Sequence, residues 1–298
     1  MKVLCIGNVV YDITMMFDEY PKENIKHRVE ISTECAGGEA FNAAYLLSLW
    51  KVNTYFAGVI GNDDAGKKII NQAKNSKLKI KYLEINKKIN TTINFVLLNK
   101  KTNSRTVFSK KNNKINLTKK IKIKPDLILY DGNEYETTKE LIEKNKNSIK
   151  IMDLGRNTDD NIKLAKYADY VICSKDFIEN YTKLNIDINN KDSLKIIFEK
   201  LKEFKNIIIT IEKDGALYQE NNEIIIVPSI NVTSVDSNGA GDVFHAAFVY
   251  SILSGFNVYN SILFSNITAA LSTTKIGIIN SIPDINKVRS IYKKCLKK

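Results

Sequence analysis

Short apolar runs alternate with helix-length segments along most of the chain. The runs "KVLCI" (2–6), "TYFAGV" (54–59), "DLILYD" (126–131), "IKIMDL" (149–154), "DYVICS" (169–174) and "NIIIT" (206–210) have the apolar density of strands buried on both faces of a parallel sheet. Between most of them lie helical segments, at 41–50, 65–75, 137–146, 175–183 and 191–203. This β-α-β rhythm predicts an α/β, doubly wound three-layer sandwich with a mostly parallel central sheet. Residues 13–33 and 91–111 break the rhythm, because each reads as an extended pair with polar turns and no intervening helix. They are expected to form a small β lid beside the main sheet. From Gly239 onward the pattern is mainly helical. With no internal repeat and no proline-rich linker, residues 1–298 read as one domain carrying an inserted lid.

Composition narrows the partners. The 298 residues are 44% hydrophobic and carry a formal charge of +12. The lysines are spread along the chain, only four basic residues are arginines, and no stretch interleaves them with aromatics, so nucleic acid is not the expected partner. The four cysteines (Cys5, Cys35, Cys173, Cys295) lack zinc-site spacing. No run is long and apolar enough for a membrane span, and the N-terminal "MKVLCIGNVVYDI" lacks the features of a signal peptide. A cytoplasmic location is the expectation.

Two phosphate-site patterns fail on inspection. "GNDDAGKK" (61–68) has P-loop spacing, but Lys68 stands where a metal-binding hydroxyl belongs, and Asp63 and Asp64 would enter the phosphate cradle. A strand-to-helix turn with acidic groups at the helix start accounts for it better. "CIGNVVYD" has one glycine where a dinucleotide-binding turn needs three. The stretch "VDSNGAGDVFHAAF" (235–248) differs from both. Gly239, Ala240 and Gly241 are small enough for backbone N–H groups to converge on a ligand at the start of an apolar helix, which makes an anion hole. Asp242, in the first helical turn, is placed to accept a proton from an attacking hydroxyl. Asp236 is suited to holding a cation or ordering the loop. The bland alternative is that both aspartates serve the turn and the helix dipole while the glycines permit the bend.

"DSNGAGD" resembles the D-[T/S]-x-G-A-G-D signature of the ribokinase-like carbohydrate kinases, the PfkB family. "GGEAFNAAYLLSLWKVNTYFAGVIGNDDAG" (37–66) resembles the family's second signature, "GNVVYD" (7–12) its first strand and substrate aspartate, and "SNITAALSTTKIGIINSIP" (265–283) its nucleotide-closing segment. The resemblance implies Asp242 as general base and the amides of Gly239, Ala240 and Gly241 on the transferred phosphoryl group. It further implies Asp12, Gly38 and Asn42 on the acceptor's hydroxyls, Asn266 beside adenine, Thr210 and Gly215 in the nucleotide loop, and Asp236 at a monovalent-cation site. Alternatives are a helix-start polar group for Asn42 and a satisfied buried amide for Asn266. ATP, Mg²⁺ and possible K⁺ dependence follow from the same resemblance, as does a possible homodimer through the lid.

Several departures bear on chemistry. In "CSKDFIE", Ser174 and Phe177 replace the Asn and Glu that organise Mg²⁺ in many relatives, leaving Asp176 and Glu179 as substitutes. In "TIEKDGA", Glu212 replaces the first expected glycine while Gly215 keeps the second. Glu39, after the double glycine, points a carboxylate towards the acceptor pocket. The expected reaction is phosphoryl transfer from MgATP to a hydroxymethyl group of a small neutral monosaccharide such as ribose or fructose. A sugar phosphate would meet repulsion from Glu39 unless Arg28, Arg105 or Lys110 of the lid compensated. The alternatives are a nucleoside kinase, with Tyr11, Phe17 and Phe41 as base-slot candidates, and a non-catalytic binding protein.

Overall fold

The computed structural model describes residues 1–102, 104–110 and 116–297, so the end of the expected lid segment at Lys111 lies outside the described residues. The strands are β1 (Lys2–Ile6), β2 (Val10–Phe17), β3 (Ser32–Gly37), β4 (Asn53–Gly61), β5 (Lys79–Asn86), β6 (Ile93–Asn99), β7 (Arg105–Lys110), β8 (Leu127–Tyr130), β9 (Ile149–Asp153), β10 (Tyr170–Ser174), β11 (Ile207–Thr210), β12 (Ala216–Glu220) and β13 (Glu223–Val227). The helices are α1 (Glu39–Leu49), α2 (Asp64–Lys74), α3 (Tyr135–Lys144), α4 (Asp159–Ala165), α5 (Lys175–Thr182), α6 (Lys191–Lys200), α7 (Ala240–Leu253), α8 (Val258–Ser272), α9 (Ile278–Ser281) and α10 (Ile285–Cys295).

The main sheet runs β13-β12-β11-β10-β9-β8-β1-β4-β5. Strands β5 to β11 of that order pair in parallel, and β12 and β13 close the edge as an antiparallel hairpin. Successive strand side chains point to opposite faces, so β1 sends Val3 and Cys5 into one core and Leu4 and Ile6 into the other. The first core is closed by α1, α7 and α8, the second by α3 to α6. These are the three layers the apolar runs predict. Helix α7 is apolar around most of its circumference because it is buried from Val243 to Val249 between α1 and α8.

Four elements were not legible as strands or helices from the runs. Strand β5, "KIKYLEIN", carries lysines on an edge, α4 is only seven residues long, and the β12–β13 hairpin turns on Asn221 and Asn222, both with positive φ. The lid also differs from its expected bounds. It is a four-stranded sheet, β3-β2-β6-β7, whose first strand starts at Val10 and whose second starts only at Ser32. Residues 18–31 form no strand. Asp12 therefore belongs to the lid sheet itself, not to the end of the first strand.

Candidate active site

The glycine turn enters α7 with Gly239 as its N-cap, at φ 76°. A side chain there would be strained and would lie 2.9 Å from Ile278 Cγ1. Gly241 is different, because a Cβ built on it meets nothing within 4 Å. Its amide points from the helix start with no backbone acceptor, whereas the Ala240 amide already donates to the Ser237 carbonyl at 3.2 Å. Of the three residues expected to form an anion hole, Ala240 donates its amide within the turn and Gly241 borders open space at the helix start.

Asp236 is 3% exposed and orders the loop. Its Oδ1 accepts from the Asn238 amide and its Oδ2 from the Gly277 amide, each at 2.9 Å, which clasps the turn to the start of α9. Each carboxylate oxygen accepts one amide and keeps a further lone pair, so the residue orders the loop and retains acceptor capacity.

Asp242 lies in the first turn of α7 with a partly accessible edge. Its Oδ2 accepts a 2.7 Å hydrogen bond from Asn42 Nδ2 on α1. Burial raises its carboxyl pKa most, followed by the Glu39 and Asp153 carboxylates, to about 8, against the opposing pull of Asn42 and His245. Asn42 therefore spends a donor on Asp242, beyond the acceptor-binding role expected of it.

Asp12 is 6% exposed and accepts from Asn94 Nδ2 of β6 at 2.9 Å. Burial, with Glu39 adding, lifts it to about 6 while Asn94 and Arg105 pull it down. Gly37 makes room for it, since a Cβ at that position would sit 2.0 Å from Asp12 Oδ2. Glu39, the first residue of α1, accepts from Asn8 Nδ2 at 3.1 Å and lies 4.0 Å from the Arg156 guanidinium. Gly38 caps the same helix at φ 104°, against the Asn8 carbonyl. Behind these stand Asp131, whose carboxylate holds the Asn8 and Asn133 amides, and Asp153 at the end of β9. The lid reaches the turn directly, with Arg105 Nη1 donating to Asn238 Oδ1 at 2.7 Å.

The expected nucleotide residues gather at the far edge of the sheet. Thr210 ends β11 and donates to the Cys173 carbonyl. Gly215, at φ 106°, closes a 3₁₀ turn over Glu212–Asp214, and a Cβ on it would come within 2.2 Å of the Val227 carbonyl oxygen. Asn266 is buried on α8 and donates to the Val227 and Pro228 carbonyls at 2.8 and 3.3 Å. A cleft of about 220 Å³ lies alongside, lined by Lys175, Asp187, Glu212 and Asp214 among others. Glu179 accepts from the Ile186 amide and lies 3.7 Å from Lys175, while Ser174 caps α5 and Phe177 stacks on Tyr181. Among the described residues no three His, Cys, Asp or Glu side chains converge as a metal site.

Sequence reasoning missed Gly37, Asn94, Asp131, Asp153 and Arg156. Both aspartates sit at the carboxyl ends of parallel strands, where ligands of open α/β sheets bind, and that rule was the available signal. Phe41 is fully buried against Phe56, so it belongs to the core and cannot line a nucleobase slot.

An ATP-dependent 6-phosphofructokinase of Thermoanaerobacterium thermosaccharolyticum is 23% identical across 97% of this chain and 93% of its own length. Among solved structures, ribokinase of Thermotoga maritima matches with a TM-score of 0.79 at 22% identity, covering 98% of this chain and 99% of that one. Arabidopsis thaliana ribokinase, complexed with ribose and ATP, gives a TM-score of 0.82 at 20% identity over 98% of both chains. The model of the pfkB family carbohydrate kinases matches residues 1–285, and with its signature turn, general fold and lid in place the chain belongs to that family of sugar-hydroxyl phosphotransferases.

Proposed function

We propose that this kinase transfers the γ-phosphoryl group of ATP to a hydroxymethyl group of a small neutral monosaccharide, with Asp242 as general base. The observation that carries the reading is the Asn42–Asp242 hydrogen bond, which joins the expected acceptor-binding helix to the expected base at the mouth of the glycine turn. An acceptor hydroxyl held between Asp12 and Asn42 would lie within reach of Asp242, which takes its proton as oxygen attacks phosphorus. The free Gly241 amide and the open space beside it suit the anionic group in flight. Mg²⁺ bound to the ATP phosphates would add charge neutralisation to that of the turn.

Carboxylates of Asp12, Glu39 and Asp131 around the pocket favour hydroxyl donors over a phosphate. Ribose and fructose are the acceptors of choice. The relative named 6-phosphofructokinase makes a sugar phosphate the competing reading. Supplying MgATP with free pentoses and hexoses, sugar phosphates or nucleosides, and measuring ADP and phosphorylated product, decides between them. A free sugar, ketose before aldose, should give the highest kcat/KM; fructose 6-phosphate or adenosine outperforming every free sugar overturns the acceptor assignment. Addition of K⁺ to enzyme in a Tris buffer should raise turnover through the loop that Asp236 orders, and a flat response removes that cation.

A further inference from the structure

A buried histidine and a half-buried aspartate behind the turn have no part in the proposed reaction. His245 follows Asp242 by three residues on α7 and is 6% exposed. Its Nδ1 lies 2.7 Å from the Gly241 carbonyl oxygen. A carbonyl only accepts, so Nδ1 carries the hydrogen, and in the neutral ring Nε2 is left with a lone pair. Nε2 is buried with no well-formed hydrogen bond, and it faces Asp153 Oδ1 at 3.5 Å and the Ile172 carbonyl. An ionised carboxylate facing a buried lone pair is repulsive; one hydrogen between them removes the repulsion whichever atom carries it.

We propose that Asp153 and His245 hold one proton between them, so that Asp242 faces a neutral pair instead of a second anion. The proposal rests on Asp242 being the base. The groups around the pair are Asp242 on the same helix, Glu39 at the start of α1, Asp131 after β8, Arg156 after β9, and the Cys173 thiol and Ile172 carbonyl on β10. Burial, Glu39 and Asp131 push the Asp153 carboxyl well above its ordinary value, and burial holds His245 below its own. Both directions disfavour an Asp153⁻–His245⁺ ion pair and favour the neutral arrangement, with the proton on Asp153 facing Nε2 across 3.5 Å. His245 is thereby a positioning residue that acts through Asp153 on Asp242 and, through the Gly241 carbonyl, on the turn.

The pH profile of kcat/KM reads the base in the free enzyme. His245→Asn keeps an amide that can donate to the Gly241 carbonyl but ends short of Asp153. The acid limb should move up by about half a pH unit or more, because protonated Asp153 loses the acceptor of its hydrogen, which favours its anion, and that anion disfavours a second one at Asp242. Asp153→Asn replaces one neutral neighbour by another and should leave the limb in place; added to His245→Asn, it should restore the wild-type midpoint. An unmoved limb in His245→Asn, or a lowered limb in Asp153→Asn alone, overturns the proposal. Should His245→Asn fail to fold, ring ¹⁵N spectroscopy of the wild type decides it, since His27 is the only other histidine. A neutral His245 ring protonated on Nδ1 is expected, and one protonated on Nε2 overturns the pair. Retained turnover in Asp242→Asn would instead overturn the base assignment and leave the spectroscopic result standing.

Discussion

Asp242 and Gly241 are adjacent in the chain but their replacement should fail in different ways. Asp242→Asn nearly preserves shape and keeps a partner for Asn42, so turnover should drop by about 10² to 10⁴ with thermal stability little changed. Steady-state kinetics beside a melting curve checks this, and wild-type turnover would remove the base. Gly241→Val puts a branched side chain into space that the protein leaves open, so the variant should fold and yet lose nearly all ATP turnover. Unchanged kinetics there would move the phosphate site elsewhere. The glycine turn and its aspartates were legible in the sequence because the motif is contiguous. Asp131 and Asp153 were not, because each is a single residue whose role appears only when the ends of β8 and β9 come to lie side by side.

Among elements, the parallel strands were readable because burial on both faces leaves unbroken apolar runs. Strand β5 was hidden by its edge lysines, and the hairpin of β12 and β13 by attention to helix-length segments, although Asn221-Asn222 is a usable turn signal. The lid boundaries slipped because Val10 to Phe17 alternates only weakly, being buried on much of both faces. The register of β6 and β7 sets Phe95 opposite Phe108, and these are 38% and 52% exposed, while Val96 and Leu98 turn to the buried side. We propose that a second copy covers this outer face. Phe108→Glu should then shift the protein from dimer to monomer in light scattering coupled to size exclusion; a monomeric wild type would dispose of the idea.

At the scale of the molecule, the pocket concentrates carboxyls that fold with raised pKa. Burial is the leading cause for Asp12 and Asp131, both at about 6, and for Asp242 at about 8. Each holds its proton in the folded chain at pH values where the unfolded chain, at the ordinary 3.8, has lost it. The folded state therefore binds more protons. The stability these groups contribute is complete below the unfolded value and is lost as pH rises through about 6 and then about 8. Tm measured at pH 8.5 should lie at least about 2 °C below that at pH 6, and Asp242→Asn should flatten the decline. A Tm that rises over this interval would contradict the buried-cluster account. Glu34 and Glu203, whose lysine partners lower their pKa, act in the opposite sense but only at more acid pH.

The bond between Asn42 and Asp242 joins residues 200 positions apart. A ribosome adding roughly 5–20 residues per second exposes the first of these about 10 to 40 s before the second is made. Throughout that interval the nascent chain has the proposed acceptor-binding helix and lacks the proposed base. With Asp242 as the proposed base, phosphoryl transfer would have to wait until α7 is released and packs between α1 and α8, so activity would report that these three helices have assembled.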